Sequence, residues 1–187
     1  MSVVYIKIPK TATTTIKRAL DLEHLGGYHT YQKINPNKDT FTFTFVRNTY
    51  ERLVSWFRHH DSVDKKEFRQ WVKNNYPHKW SNDWIAREQE NNPLNQMNWI
   101  TDNDGKVVVD FIGKVGNIEE DYKLLCEELE IENPNPLPHL IPTPEVEEAK
   151  KQKDFNPKDY YDEETRKKVE EDFKEEIDYF NFKFFGE

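Results

Sequence analysis

A lysine and four threonines stand close together in the segment IPKTATTTI, which spans residues 8–16. An apolar run precedes the segment and a helical pattern follows it, so the segment is typical of a loop leading from a strand into a helix. The first main-chain N–H groups of such a helix have no partner inside the helix, and the helix dipole adds positive potential there. Because this geometry binds phosphate or sulfate, the pattern predicts an anion site. Its candidate residues are Lys10, Thr11, Ala12, Thr13, Thr14 and Thr15.

A second cation follows a second predicted strand. Arg47 comes directly after the segment FTFTFV of residues 41–46, and Ser55 lies two helical turns further along the chain. A guanidinium group binds phosphate through parallel hydrogen bonds, and a serine hydroxyl can donate beside it. Ligands of open α/β sheets bind at the carboxyl ends of the strands, so we expect Lys10 and Arg47 to face one crevice. Two cations in one crevice suggest a ligand with two separated anionic groups.

The first loop differs from the loop of nucleoside triphosphate enzymes. It contains no glycine, and its lysine precedes the hydroxyls, whereas the usual loop ends in Gly-Lys-Ser/Thr. Asp110 is the nearest candidate for a metal-binding carboxylate, and its place beside a turn favours a structural role. We therefore expect neither an ordinary triphosphate site nor a bound metal. A threonine-capped helix beside a solvated lysine remains an alternative that needs no ligand at all.

The alternation of strand and helix patterns predicts the fold. Residues 3–8 and 41–46 are β-branched or aromatic runs typical of buried strands, and residues 13–22 and 49–60 have helical spacing. Two strand–helix units within the first 60 residues favour a parallel sheet. The sequence therefore predicts an α/β fold, in which residues 1–187 form a single P-loop-like domain with a central parallel sheet flanked by helices.

Two turn and cap signals follow in the second half of the chain. Asp104 and Gly105 form a turn signal that predicts a hairpin over residues 101–115, with a strand in its second arm. Asn117, with Glu120 three residues later, resembles a capping box and predicts the start of a helix. These signals add at least one strand and one helix to the predicted fold.

The remaining segments are polar or rich in proline. Residues 61–100 predict a helical insert, and residues 133–161 predict an extended connector because five prolines fall within 133–144. The apolar spacing that follows predicts a last helix over residues 162–180. Aromatic faces often stack on sugars, so the insert is a candidate acceptor side, although core packing explains several of its tryptophans equally well. These tryptophans are Trp71, Trp80, Trp84 and Trp99.

Composition and charge exclude several classes of protein. The net charge is −8, yet residues 1–60 hold nine Lys or Arg against four Asp or Glu. An acidic chain with a basic first third favours a local anion site over nucleic-acid binding. No apolar run approaches the roughly 18 residues of a membrane span, and we expect no signal peptide. The single cysteine, Cys126, cannot form an internal disulfide and fits a reducing compartment, so we expect a cytoplasmic protein.

Three segments in order resemble motifs of the sulfotransferase superfamily: IPKTATTTI, FTFVRNTYERLVSWF and DFIGKVGNIEEDY. The similarity is greatest to the carbohydrate branch, which includes Golgi and bacterial members. The segment YYDEETRKKVEEDFKEEIDYFNF also resembles the last helix of that branch. The resemblance extends over roughly residues 3–184, and its middle motif is the most specific.

The resemblance implies a ligand and a reaction. The ligand would be 3′-phosphoadenosine 5′-phosphosulfate, a sulfuryl donor that needs no metal, and residues 1–60 would be the donor-binding part. The first motif would cradle the 5′-phosphosulfate with Lys10 at the bridging oxygen, while Arg47 and Ser55 would hold the 3′-phosphate. His29 falls where related enzymes place a general base, so Lys10 and His29 would be the catalytic residues. The acceptor would be a hydroxyl group, most often one of a glycan.

The chain departs from the family pattern at several positions. Ala12 and Thr13 stand where the first loop commonly has glycines, and Thr49 stands where the middle motif commonly has proline. Lys114 and Gly116 replace an arginine and a glutamate that are common in the third motif. The departures in the first loop bear directly on its backbone path, because glycine reaches conformations that other residues avoid.

Two other functions compete with sulfuryl transfer. The chain could be a noncatalytic nucleotide-binding module, which the glycine-free first loop favours slightly, or a P-loop nucleotide kinase, which would need magnesium and the missing Gly-Lys-Ser/Thr loop. A lone histidine such as His29 is also often a polar surface residue. If His29 is not the base, His59, His60 and Glu51 are the next candidates.

Overall fold

A computed structural model describes residues 2–22, 29–60, 62–77, 94–138 and 155–187. The chain divides into two compact units, Met1–Arg47 with Glu88–Ile141 and Asn48–Arg87 with Pro142–Glu187. Among the described residues, the first unit contains β1 Ser2–Tyr5, α1 Thr13–Ala19, α2 Tyr31–Ile34, β2 Thr40–Val46, α5 Met97–Ile100, β3 Phe111–Lys114 and α6 Ile118–Glu128. The second unit contains α3 Thr49–His60, α4 Lys65–Lys73, α7 Glu163–Asp172 and α8 Lys174–Phe180.

The described strands of the first unit form one parallel sheet in the order β1-β2-β3. Tyr5 pairs with Phe43 of β2, and Phe43 pairs in turn with Phe111 of β3. The main chain continues beside β2 beyond β1, since the Ile6 amide donates to the carbonyl of Phe43 (2.8 Å). The predicted α/β fold with a central parallel sheet is confirmed, although β1 ends three residues earlier than the apolar run predicts.

Apolar side chains cover one face of this sheet. Tyr5 of β1 stacks on Phe43 of β2 with ring centroids 4.6 Å apart. Side chains from α1 and α6 complete the cluster, and Cys126 is buried within it as a free thiol. The buried members are Tyr5, Ile16, Ala19, Phe43, Phe45, Tyr122, Leu125 and Cys126.

Gly113 allows β3 to lie close against β2. It pairs with Phe45, and a Cβ atom at position 113 would lie 2.4 Å from the Phe45 ring. Such a contact is far below van der Waals distance, so any side chain here would push the ring or the strand aside. A glycine inside a strand is typical of this kind of close approach.

The hairpin predicted over residues 101–115 forms only in part. The turn itself is present, since Gly105 has a φ of 79° and Asp102 exchanges main-chain hydrogen bonds with Gly105 and Lys106. Antiparallel pairing is limited to one bridge between Thr101 and Val107. The strand that follows, β3, instead pairs with β2 in a parallel arrangement.

Aromatic side chains form the core of the second unit. Phe57 of α3 contacts Phe68 and Trp71 of α4, with both pairs of ring centroids 5.4 Å apart. Trp71 is buried and donates its indole N–H to the carbonyl of Pro77 (3.1 Å). Trp71 is therefore a packing residue, as expected if the tryptophans of the insert serve core packing rather than sugar stacking.

The ends of two predicted helices differ from the sequence prediction. Asn117 precedes α6 but makes no side-chain capping bond, and its amide instead donates to Asp121 (3.2 Å). The helix predicted over residues 162–180 is two consecutive helices, α7 and α8, which meet at Phe173. Phe173 leaves helical geometry with its ring buried 5.4 Å from that of Tyr76.

The predicted connector contains little regular secondary structure among the described residues. The residues of the predicted connector that the structure describes are irregular except for a 3-10 turn at Pro157–Tyr160. Within the described ranges, no helix combines the length and apolar character needed to cross a bilayer. The assignment of residues 1–187 to a single domain stays a prediction.

Candidate functional site

The first loop has a left-handed backbone at two positions. Lys10 has a φ of 68°, and Ala12, the residue before α1, has a φ of 59° and a ψ of 27°. Glycine adopts this conformation without strain, whereas in an L-residue the Cβ atom comes too close to the following carbonyl oxygen. The loop therefore turns at Ala12 in a conformation suited to glycine, although no glycine is present in it.

The threonines of the loop divide between structure and surface. The Thr11 hydroxyl is buried and donates to the carbonyl of Ile8 (2.8 Å), so it closes the turn. Thr13 and Thr15 are buried, while Thr14 is exposed. The hydrogen-bond ladder of α1 begins with Ile16 N–H donating to the carbonyl of Ala12 (3.1 Å), so the amides of residues 13–15 precede it.

Arg47 directly follows β2, the central strand of the described sheet. The loop of Lys10 follows the adjacent strand β1, and Lys114 is the last residue of β3. Because the three strands are parallel, their carboxyl ends meet at one edge of the sheet. The fold of the first unit thus brings the segments of Lys10, Arg47 and Lys114 to the same edge. That Lys10 and Arg47 face one crevice stays a prediction.

Two residues near this edge were not predicted from the sequence. Gln96 is fully buried and makes two hydrogen bonds to the main chain of Arg47. Lys7 is buried just after β1, where burial and the nearby charge of Lys17 lower the pKa of its ammonium group. No local pattern marks Gln96, because its partner lies 49 positions away, whereas the lysine inside an apolar run was a signal for Lys7.

The structure places the remaining predicted site residues in different units. His29 is half-buried in the first unit and precedes Thr30, whose hydroxyl caps α2. Ser55 is half-buried on α3 in the second unit. Among the reserve candidates for the base, His59 is exposed, and its ring lies 4.1 Å from that of the half-buried His60. The roles of His29 and Ser55 stay predictions.

Asp110 has a structural role. It precedes β3, so it lies at the opposite edge of the sheet from Lys10 and Arg47. Its carboxylate accepts hydrogen bonds from the amide (2.7 Å) and the hydroxyl (2.8 Å) of Thr42. In the part of the chain that the structure describes, no group of three or more His, Cys, Asp or Glu side chains could hold a metal ion.

Where the structure describes them, the tryptophans of the insert are buried. Trp99 lies in α5 and is buried in the first unit, just as Trp71 is buried in the second. Trp80 and Trp84 lie outside the described residues. Two of the four candidates for sugar stacking are thus core residues.

Comparison with known proteins gives one match to a family and one to a relative. The model of the family described as "Sulfotransferase family" matches residues 1–183. An uncharacterized protein of Archaeoglobus fulgidus is 35% identical over 90 residues, which are 46% of this chain and 65% of that protein. The chain therefore covers slightly less than two thirds of this relative's length. No solved structure gives a significant match.

Proposed function

Because the chain belongs to the sulfotransferase family, we propose that it transfers a sulfuryl group from 3′-phosphoadenosine 5′-phosphosulfate to a hydroxyl group. A carbohydrate is the proposed acceptor, on the resemblance of the three motifs to the carbohydrate branch. A cytoplasmic location is proposed on the single cysteine of the chain.

One observation carries the proposal. Lys10 and Arg47 follow two adjacent parallel strands, so two cations of the first unit stand at the edge where α/β proteins bind ligands. The loop that presents Lys10 has the left-handed turns expected of a glycine-containing anion loop. A donor that carries a phosphosulfate at one end and a phosphate at the other matches two cationic groups.

The proposed chemistry assigns one task to each residue. His29 accepts the proton of the acceptor hydroxyl as its oxygen attacks sulfur and forms a new S–O bond. The bond from sulfur to the bridging oxygen breaks, and adenosine 3′,5′-bisphosphate leaves. Negative charge grows on the bridging oxygen, so the Lys10 ammonium stabilises the transition state more than the bound donor. The main chain of residues 11–15 holds the 5′-phosphate, and Arg47 with Ser55 holds the 3′-phosphate.

The first test is discrimination between two nucleotides. Adenosine 3′,5′-bisphosphate should bind more tightly than adenosine 5′-monophosphate, because only the former offers a 3′-phosphate to Arg47 and Ser55. A charge-assisted hydrogen bond of this kind contributes about 1.5–3 kcal/mol, which corresponds to roughly 10- to 150-fold in Kd. Titration calorimetry with both nucleotides gives the ratio directly.

Two variants sharpen this measurement. Arg47→Ala should bring the two affinities close together, whereas Arg18→Ala, the same change at an exposed position of α1, should keep the wild-type ratio. Equal affinities in the wild type would remove the proposed donor. Binding of ATP only with magnesium, and no preference for the bisphosphate, would favour a nucleotide kinase instead.

A further inference from the structure

The side chain of Gln96 makes two hydrogen bonds to the main chain of Arg47. Its side-chain oxygen accepts a hydrogen bond from the Arg47 amide (2.9 Å), and its side-chain nitrogen donates to the Arg47 carbonyl (2.9 Å). The side chain is completely buried. One primary amide thus pairs both main-chain polar groups of a single residue, as a neighbouring strand would do in a sheet.

Arg47 needs such a partner because of where the sheet ends. The last registered pair between β2 and β3 joins Val46 to Lys114, so Arg47 lies one position beyond the ladder. Buried or half-buried main-chain N–H and C=O groups must find hydrogen-bond partners elsewhere. The amide of Gln96 extends the ladder by one residue at the point where a cation is presented.

Gln96 is itself held firmly. Its carbonyl accepts from the Trp99 amide (3.1 Å) at the start of α5. The neighbouring Leu94, Met97 and Ile100 are buried. The hydroxyl of Thr101 adds a hydrogen bond to the carbonyl of Met97 (3.0 Å). The amide therefore projects from a packed support, which is what precise positioning requires.

We propose that Gln96 is the positioning residue for Arg47, which it orients for recognition of the 3′-phosphate. The proposal rests on the function proposed above. Hydrogen bonds on both sides of the Arg47 Cα atom fix the local φ and ψ, and these angles set the direction in which the side chain leaves the main chain. Gln96 touches no ligand in this scheme, and it acts only through the geometry of Arg47.

Two substitutions remove the contact in different ways. In Gln96→Glu, the carboxylate can still accept from the Arg47 amide but cannot donate to its carbonyl. Gln96→Met has a similar volume and no charge, and it makes neither bond. Gln32→Glu is the matched control, because the Gln32 amide also donates to a main-chain carbonyl, that of Asp102 (3.2 Å), at an exposed site of the same unit.

The readout is the ratio of the Kd for adenosine 5′-monophosphate to the Kd for adenosine 3′,5′-bisphosphate. Both Gln96 variants should lower this ratio at least fivefold, while the affinity for the monophosphate changes less than threefold. Gln32→Glu should keep the wild-type ratio. In an Arg47→Ala background, Gln96→Met should leave the ratio unchanged, since coupled residues do not have additive effects.

Three results would overturn the proposal. If both Gln96 variants keep the Kd ratio of the wild type, the contact does not orient Arg47. An equal fall in affinity for both nucleotides would assign Gln96 a merely structural role. A full effect of Gln96→Met in the Arg47→Ala background would show that it acts elsewhere. A Kd ratio near one in the wild-type protein itself is a different outcome, because it refutes the proposed donor first and this inference with it.

Discussion

Ala12 adopts the left-handed backbone conformation that glycine usually provides in such a loop. The chain has alanine and threonine where the family loop commonly has glycines, and Ala12 nevertheless turns with a φ of 59°. The sequence identifies the departure but not its result, because an alanine can either move the loop or accept the strained conformation. Contacts such as the bond from the Thr11 hydroxyl to Ile8 hold the loop in place.

Restoring glycine at this position should stabilise the protein. A left-handed conformation costs an L-residue about 1–2 kcal/mol, and glycine loses part of this gain because it is more flexible in the unfolded chain. We expect Ala12→Gly to raise the free energy of unfolding by roughly 0.5–1 kcal/mol in urea denaturation. Ala19→Gly, the same change at a buried helical position, should lower it. A loss of stability in Ala12→Gly would mean that Ala12 is not strained.

The site residues that the sequence predicts are those with a local signal. Lys10 and Arg47 each follow an apolar run, so strand ends and ligand chemistry together single them out. Gln96 lies in a polar segment with no such signal, and its role depends on a contact made only in the folded chain. A residue that supports another one is therefore harder to find than a residue that is expected to touch the ligand.

At the scale of elements, residue types alone do not predict which helix starts are capped by a side chain. Asn117 has a favourable residue three positions later, yet a 3-10 turn at Val115–Asn117 precedes α6, and no side-chain capping bond forms. Asp162 forms a complete capping box with Thr165, with bonds of 2.9 Å and 3.0 Å. The residue types in the two segments are compatible with caps, so the backbone conformation before each helix decides the outcome.

The two positions should respond differently to the same substitution. Asp162→Ala removes a working cap and should lower the free energy of unfolding by about 1 kcal/mol. Asn117→Ala removes no capping bond and should cost less than half as much. Urea denaturation of both variants measures the difference. A larger cost for Asn117→Ala would contradict the assignment of the caps.

The contribution of Asp162 should also depend on pH. Burial raises the pKa of its carboxyl group, but hydrogen bonds from Thr165 and the charges of Arg69 and Lys73 outweigh burial and bring the pKa below its usual value of 3.8. A lowered pKa in the folded state stabilises the protein above the usual pKa, and this stabilisation is lost as the pH falls through the lowered value. The stability difference between wild type and Asp162→Ala should therefore shrink below about pH 4.

Thr49 links the start of α3 to α8. Its hydroxyl donates to the carboxylate of Glu176 (2.5 Å), and both side chains are completely buried. Proline, which the middle motif commonly has at this position, would fit the start of a helix but would offer no hydroxyl. The departure from the family pattern at position 49 thus has a partner in the C-terminal part of the chain, which a local motif comparison does not reveal.

The hydroxyl of Thr49 should matter more than its methyl group. Thr49→Val keeps the shape but removes a donor from a buried carboxylate, which should lower the free energy of unfolding by about 2–3 kcal/mol. Thr49→Ser keeps the donor and removes one methyl group, which should cost about 1 kcal/mol. Thermal or urea unfolding compares the two. A cost of Thr49→Val no greater than that of Thr49→Ser would show that the bond contributes little.

At the scale of the whole molecule, the distribution of charge agrees with the arrangement of the sheet. The basic first third supplies Lys10 and Arg47 to one edge of a parallel sheet, while the chain as a whole carries a net charge of −8. The fold class follows from alternating strand and helix patterns over the first 60 residues. The third strand was harder to predict, because β3 follows a turn signal and yet pairs in parallel.

The central claim is sulfuryl transfer, and turnover with a labelled donor tests it most directly. The wild type should move labelled sulfate from 3′-phosphoadenosine 5′-phosphosulfate to a hydroxyl of a glycan panel, and EDTA should not abolish this. His29→Ala should cut turnover roughly 10²–10⁴-fold with nearly unchanged nucleotide affinity. Lys10→Ala should lower turnover more than donor affinity, and Lys38→Ala, at an exposed position, should do neither. Nucleotide binding without transfer to any acceptor, or full turnover in both His29→Ala and Lys10→Ala, would contradict the account.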